Sequence, residues 1–128
     1  MTGANLGLLN VFKRRTERQL IGQSGEDDAL KHLLKQGLTL QERNFLCKGG
    51  EIDLVMKERD TLVFVEVRKR ALSHYGGAAA SVTAGKQRRL IVAAQVYLKR
   101  YKMPPACRFD VVAIDGNELT WLKNAIES

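Results

Sequence analysis

The segment GGEIDLVMKERDTLVFVEVRKR, residues 49–70, constrains the fold more than any other part of the chain. Two runs rich in Val, Leu, Ile and Phe flank the charged turn KERDT, the pattern of a β-hairpin with strands over 51–56 and 62–68. Each strand nevertheless carries one carboxylate in its middle, Asp53 and Glu66. A charged group in a segment made for burial is costly unless it is paired or ligated, so these two side chains need a reason.

Loop parity supplies the first part of it. With an even loop centred on Arg59 and Asp60, Asp53 falls directly opposite Glu66; an odd loop would place them on opposite faces. Opposed residues of an antiparallel pair have Cβ atoms about 4.5 to 5.5 Å apart and leave the sheet on one side. The period of two then sets Glu51, Asp53 and Val55 beside Phe64, Glu66 and Arg68, with Ile52, Leu54, Val63, Val65 and Val67 on the other face. Two explanations of the converging carboxylates remain open. A hard divalent cation, Mg²⁺ or Mn²⁺, takes oxygen ligands, relieves their repulsion and polarises a phosphodiester. An ion-pair network of Asp53, Glu66 and Arg68 needs no metal.

Helices and strands surround this hairpin. Ser24 and Asp27 form an S-x-x-D capping pattern, and Ala29, Leu30, Leu33 and Leu34 recur with helical spacing until Gly37, which predicts a helix over 24–36. Glu26 precedes those apolar residues by helical intervals and shares their inward stripe, bringing a third carboxylate toward the hairpin. An acid in the first turn also suits the helix dipole with no further role. Residues 38–46 fit a strand. The Gly- and Ala-rich stretch SHYGGAAASVTAG is expected to be a mobile loop beside the site. KQRRLIVAAQVYLKRY then presents Leu90, Ile91, Ala94, Tyr97, Leu98 and Tyr101 on one face of a second long helix, ended by Pro104 and Pro105. FDVVAID reads as a buried strand, and Asp115-Gly116 turns the chain into a short last strand, ELTWL. The predicted order is α-β-β-β-α-β plus a short C-terminal strand, an α/β domain with a mixed central sheet flanked by helices.

At 128 residues, 45% hydrophobic and 27% charged, the chain has the make-up of one globular domain, and no apolar run approaches the ~20 residues of a membrane helix. Residues 1–20 read as a basic, loosely ordered lead-in and 21–128 as the domain. In that lead-in the apolar run precedes the basic cluster, the reverse of a secretory signal, which predicts a cytoplasmic protein. Cys47 and Cys107 lie far apart with no C-x-x-C pair or histidine cluster, a pattern of free thiols rather than zinc ligands. The net charge of +7 favours a polyanionic partner, nucleic acid before an acidic membrane surface. Basic residues cluster at Lys13, Arg14, Arg15 and Arg18, at Arg68, Lys69 and Arg70, and at Lys86, Arg88 and Arg89. Phosphate contacts are expected from the last two clusters. GGAAASVTAGKQRR is not a phosphate loop, because Ala80 and Gln87 stand where the first Gly and the Ser or Thr would be. His74 is a candidate for a phosphate contact, His32 for a surface position, and Trp121 and Tyr75 for base stacking. Tyr97 and Tyr101 follow the apolar helical stripe and fit core packing better.

GEDDA, RNF, GEIDLV, FVEVRKR, KQRRL and RFDVVAI, in this order from about Ser24 to Ile114, resemble the YraN-like family of small bacterial proteins. That family in turn is similar to the PD-(D/E)xK nucleases, with the restriction-endonuclease-like core shared by archaeal Holliday-junction resolvases. The resemblance implies that Glu26 is the helix acid, Asp53 the first motif acid and Glu66 the second, the three together ligating Mg²⁺ or Mn²⁺. It places Arg68 where a Lys is usual and Gln87 where a polar helper stands on the second helix. Gln87 precedes Leu90, Ile91 and Ala94 by helical intervals, which agrees with an inward placement. Arg stays charged in any protein setting, so Arg68 can bind phosphate through two N–H groups and stabilise developing charge, but it cannot act as a general base. The implied function is a metal-dependent endonuclease acting on nucleic acid, DNA before RNA and branched DNA in particular. The alternatives are a nucleic-acid-binding module that keeps the fold without efficient cleavage, and a protein-interaction domain. A symmetric dimer rests on analogy with the junction-cutting relatives.

Overall fold

The computed structural model describes residues 17–70 and 77–127. Five strands form one sheet in the spatial order of the chain: β1 (Thr39–Cys47), β2 (Gly50–Glu58), β3 (Thr61–Arg70), β4 (Cys107–Asp115) and β5 (Glu118–Leu122). β3 and β4 run parallel and the other neighbours antiparallel, so the sheet is mixed, as predicted. A parallel step needs a crossover. Here the one-turn helix α2 (Gly77–Ala80) and the long α3 (Ala84–Leu98) supply it, while α1 (Glu17–Lys35) precedes the sheet.

The hairpin has the even register that the sequence predicts. A two-residue turn of Arg59 and Asp60, with Arg59 at φ 56°, joins strands paired from Glu58–Thr61 to Leu54–Val65. Leu62, Val63, Phe64 and Val65 of β3 are all buried, because helices cover both faces of this central strand. Met56, Val63, Val65 and Val67 pack toward Ala29 and Leu33 of α1. Val55, Phe64, Phe109 and Val111 pack toward Leu90, Ala94 and Tyr97 of α3. Ile52 departs from the expected alternation and joins the α3 side instead of the side of Leu54. Nearby, Asn44 of β1 takes a positive φ of 53° between the Arg43–Leu54 and Phe45–Ile52 pairs, while the register of the ladder shifts between Leu40 and Glu42.

Several boundaries differ from expectation. α1 begins at Glu17, so Ser24 is not its cap but a mid-helix residue whose hydroxyl accepts from Lys69 Nζ at 3.4 Å. The preceding ERQLIGQ contains no Pro and is mostly good helix formers, so nothing stops the helix from extending back. Most of the basic lead-in, residues 1–16, lies outside the described residues. α3 starts under Thr83, whose side chain accepts the Lys86 amide at 3.2 Å, and ends at Leu98, ahead of the prolines and of Tyr101. Of the stretch expected to be a mobile loop, Gly77–Ala80 forms a helical turn, and its Ala78 amide donates to Asp115 Oδ1 at 2.8 Å. His74 and Tyr75 lie outside the described residues. Among the described residues no helix is long and apolar enough to cross a membrane.

Candidate functional site

The site forms where β2 and β3 part. Their ladder ends at Leu54–Val65, and the Val67 amide donates at 2.8 Å to Asp53 Oδ2 instead of to a strand carbonyl. Asp53 thus does the work of a missing backbone acceptor, which fixes its carboxylate at the opening. Glu66 stands beside it there, near enough for its carboxyl group to act on that of Asp53, the convergence that the loop parity predicts. Burial first, and then the hydrogen bond and charge of Glu66, push Asp53 from its ordinary 3.8 up to about 9, against the pull of the Val67 amide.

Glu26, Glu51, Asp53 and Glu66 line a recess of about 300 Å³ together with Arg68, Lys86 and Arg89. Glu26 reaches it from α1. Burial and then the charge of Asp53 raise its pKa, while Arg43 opposes the rise. Arg43 Nη2 donates to Asp27 Oδ1 at 2.8 Å and to Glu26 Oε1 at 3.5 Å, so Glu26 leans toward this arginine. Among the described residues no three His, Cys, Asp or Glu side chains are grouped tightly enough to hold a metal ion. The structure therefore brings Asp53 and Glu66 into contact and keeps the third expected ligand beside them on Arg43. A pair of carboxylates still fits Mg²⁺, which keeps several waters and is commonly held by one or two carboxylates together with substrate phosphate. Burial first, and then the neighbouring carboxyl group, disfavour the charged form of Asp53, and a divalent cation relieves both.

The basic wall is organised differently from the sequence expectation. Arg68 Nε donates to Ser81 Oγ at 2.9 Å, and Arg68 forms no ion pair with Asp53 or Glu66. The metal-free network of those three residues is not what holds the carboxylates together. Lys86, expected among outward phosphate contacts, lines the acidic recess, and burial followed by the charge of Arg68 lowers its pKa while Glu66 opposes the fall. Arg89, although exposed, lines the recess as well, whereas the exposed Arg70 and Arg88 do not. Gln87 does not reach it: its Nε2 donates to the Val82 carbonyl at 3.1 Å. Lys69 turns to the other face of the sheet, where Nζ meets Ser24 Oγ and Asp28 Oδ2, each at 3.4 Å.

Glu51 lines the recess on the face that strand alternation assigns it, whereas Arg43 and Ser81 were not legible as site residues. The asparagine of RNF, a turn former inside a strand, is the one signal for the kink beside Arg43. Ser81 gives no signal, because the crossover alone brings it to Arg68. His32 is half-buried against Trp121, with ring centroids 6.1 Å apart, rather than a free surface residue. Trp121 Nε1 donates to Asp110 at 2.9 Å, which gives the indole a structural task. Tyr97 is buried in the core, and Cys47 and Cys107 are free thiols, both as expected.

The Uncharacterised protein family UPF0102 matches residues 25–114, a span that holds every residue lining the recess. A UPF0102 protein of Herminiimonas arsenicoxydans is 74% identical over 114 residues, 89% of this chain and 92% of its own length. A second, from Janthinobacterium sp. strain Marseille, is 65% identical over 121 residues, 94% of this chain and 98% of its own. A third, from Acidovorax sp. strain JS42, is 56% identical over 111 residues, 84% of each chain. The chain belongs to the UPF0102 family, the YraN-like group that its motifs resemble.

Proposed function

We propose that this protein binds nucleic acid, DNA before RNA, with a backbone phosphate in the recess, and hydrolyses a phosphodiester there with Mg²⁺ or Mn²⁺. Asp53 and Glu66 would hold the cation, joined by Glu26 when that carboxylate gives up Arg43. One observation carries the reading: the carboxylates at the parted strand ends share a single recess with Arg68, Lys86 and Arg89. Phosphodiester chemistry needs both kinds of group, cations to hold the phosphate and its developing charge, and oxygen ligands for a hard metal. When bound, the metal would polarise the phosphate and make its water a nucleophile near neutral pH. The chain's own side chains bind and orient: Arg68 and Arg89 engage phosphate oxygens, Lys86 adds positive charge against the acids, and the Val67 amide fixes Asp53. The resemblance to the PD-(D/E)xK nucleases points to DNA, and the free thiols suit a cytoplasmic setting.

A second reading, binding without efficient cleavage, draws on Arg68, which cannot give up a proton, and on the tie between Glu26 and Arg43. Labelled duplex and branched DNA incubated with Mg²⁺ or Mn²⁺ separate the two. Cleavage by the wild type that Asp53→Ala abolishes supports hydrolysis. Salt-sensitive binding with intact DNA leaves the binding module, and absence of both moves the function to a protein partner.

A further inference from the structure

The guanidinium of Arg68 is held by its inner nitrogen. Nε donates to Ser81 Oγ at 2.9 Å, and Ser81 Oγ donates to the Ala78 carbonyl at 2.6 Å. A serine hydroxyl has one proton to give, so with that proton on Ala78 its lone pairs face Arg68. The support continues to the sheet: the Ala78 amide donates to Asp115 Oδ1 at 2.8 Å, which ties α2 to the end of β4. Among the described residues neither Nη1 nor Nη2 of Arg68 meets an acceptor, although Glu66 stands two positions away on the same strand face. An arginine beside carboxylates ordinarily closes on one of them. This one is drawn back by Ser81, and its outer N–H groups are left pointing from a fixed hinge beside Lys86 and Arg89.

We propose that Ser81 is a positioning residue that presents the outer fork of Arg68 to a phosphate oxyanion in the recess. The proposal rests on the reading that the recess takes a nucleic-acid backbone. Its physical content is pre-organisation. A guanidinium can donate two parallel N–H groups to phosphate, and fixing Nε beforehand removes rotamer freedom that binding would otherwise remove. A lysine in this position has no inner nitrogen to anchor, so Arg68 and Ser81 act as a pair and meet phosphate with oriented donors instead of a point charge.

The test measures affinity for a fluorescent 20-nucleotide strand in metal-free buffer across a salt series, for wild type, Ser81→Ala, Ser81→Thr and Arg68→Gln. Ser81→Ala keeps the positive charge, so affinity is expected to fall about three- to ten-fold at every salt concentration with the salt slope unchanged. Ser81→Thr keeps the hydroxyl and is expected to restore affinity. Arg68→Gln removes a phosphate contact and is expected to lower the slope by about 0.7 for a single strand, and adding Ser81→Ala to it should cost nothing more. In ¹⁵N spectra, Arg68 Nε–H should give a dispersed, slowly exchanging signal in wild type and Ser81→Thr and lose it in Ser81→Ala. Unchanged affinity in Ser81→Ala while Arg68→Gln loses it, or an averaged Arg68 Nε–H signal in the wild type, overturns the role of Ser81 and leaves the nucleic-acid reading standing. Absence of salt-sensitive binding in the wild type overturns that reading and the proposal together.

Discussion

Asp53 and Asp110 both lie inside strands of this sheet, and their surroundings treat them in opposite ways. Asp110 of β4 is fully buried and well supplied: it accepts from Arg108 Nε at 3.0 Å, Trp121 Nε1 at 2.9 Å and the Asn124 amide at 2.8 Å. Asp110→Ala would strand these donors, at an expected cost of about 3–5 kcal/mol in urea unfolding. Asp53 has one amide in its favour and a carboxyl group against it. Its folded pKa is raised from 3.8 to about 9, so between those values the folded chain holds a proton that the unfolded chain has released. The contribution of this group is therefore complete below about 4 and lost progressively as pH rises toward 9, by at most about 1.4 kcal/mol per pH unit. Asp53→Asn keeps an acceptor for Val67 and should abolish that fall, which makes the variant the more stable form at pH 8 in unfolding measured across the pH series. Asp53 was legible because the turn alone sets its partner. Asp110 was not, since RFDVVAI reads as a plain buried strand and its partners come from a later hairpin and the chain after it.

The helices reach the site because two glycines let them come close. A Cβ on Gly50 of β2 would lie 2.0 Å from the Arg89 carbonyl of α3, and one on Gly25 of α1 would lie 3.1 Å from the Lys69 side chain. The first contact is with backbone, which cannot yield without moving α3 and with it Lys86 and Arg89. Gly50→Ala is expected to cost about 1–3 kcal/mol and to weaken any anion binding in the recess. Gly25→Ala meets the Lys69 Cβ, which moves only with β3 but needs to give by only a few tenths of an ångström, so its expected cost is about 1 kcal/mol, partly offset by the better helix propensity of Ala. Chemical denaturation of both variants compares the two. Strand order, the even turn, the mixed sheet and the two long helices were legible from periodicity and punctuation. The early start of α1 and the one-turn α2 were not, because the S-x-x-D pattern also occurs within helices and a Gly-Ala run gives no apolar stripe. The short α2 is held from outside itself, by the carboxylate of Asp115.

Across the whole molecule the positive charge is sorted by the sheet. In sequence, Arg68, Lys69 and Arg70 form one basic cluster with equal claims on phosphate, but strand alternation sends Arg68 toward α3 and Lys69 toward α1. Lys69 is there matched to Asp28 and Ser24, and Arg43 on the same side is matched to Glu26 and Asp27. Arg89 lines the recess, and Arg88, one position earlier on the same helix, does not, although both are exposed. Among the described residues the positive charge is thus unevenly placed, partly neutralised on the α1 side and gathered beside the recess on the α3 side. If a duplex lies across the recess, each phosphate contact contributes about 0.9 to the slope of log affinity against log salt. Arg89→Gln is then expected to lower that slope by about 0.9, whereas Lys69→Gln should leave it unchanged and act only through a small change in stability. Equal loss from both variants would mean that the duplex is drawn by overall charge and not by the recess. Loss from Lys69→Gln alone would put the DNA on the α1 face, away from Asp53 and Glu66, and would remove these carboxylates from any role in cutting it.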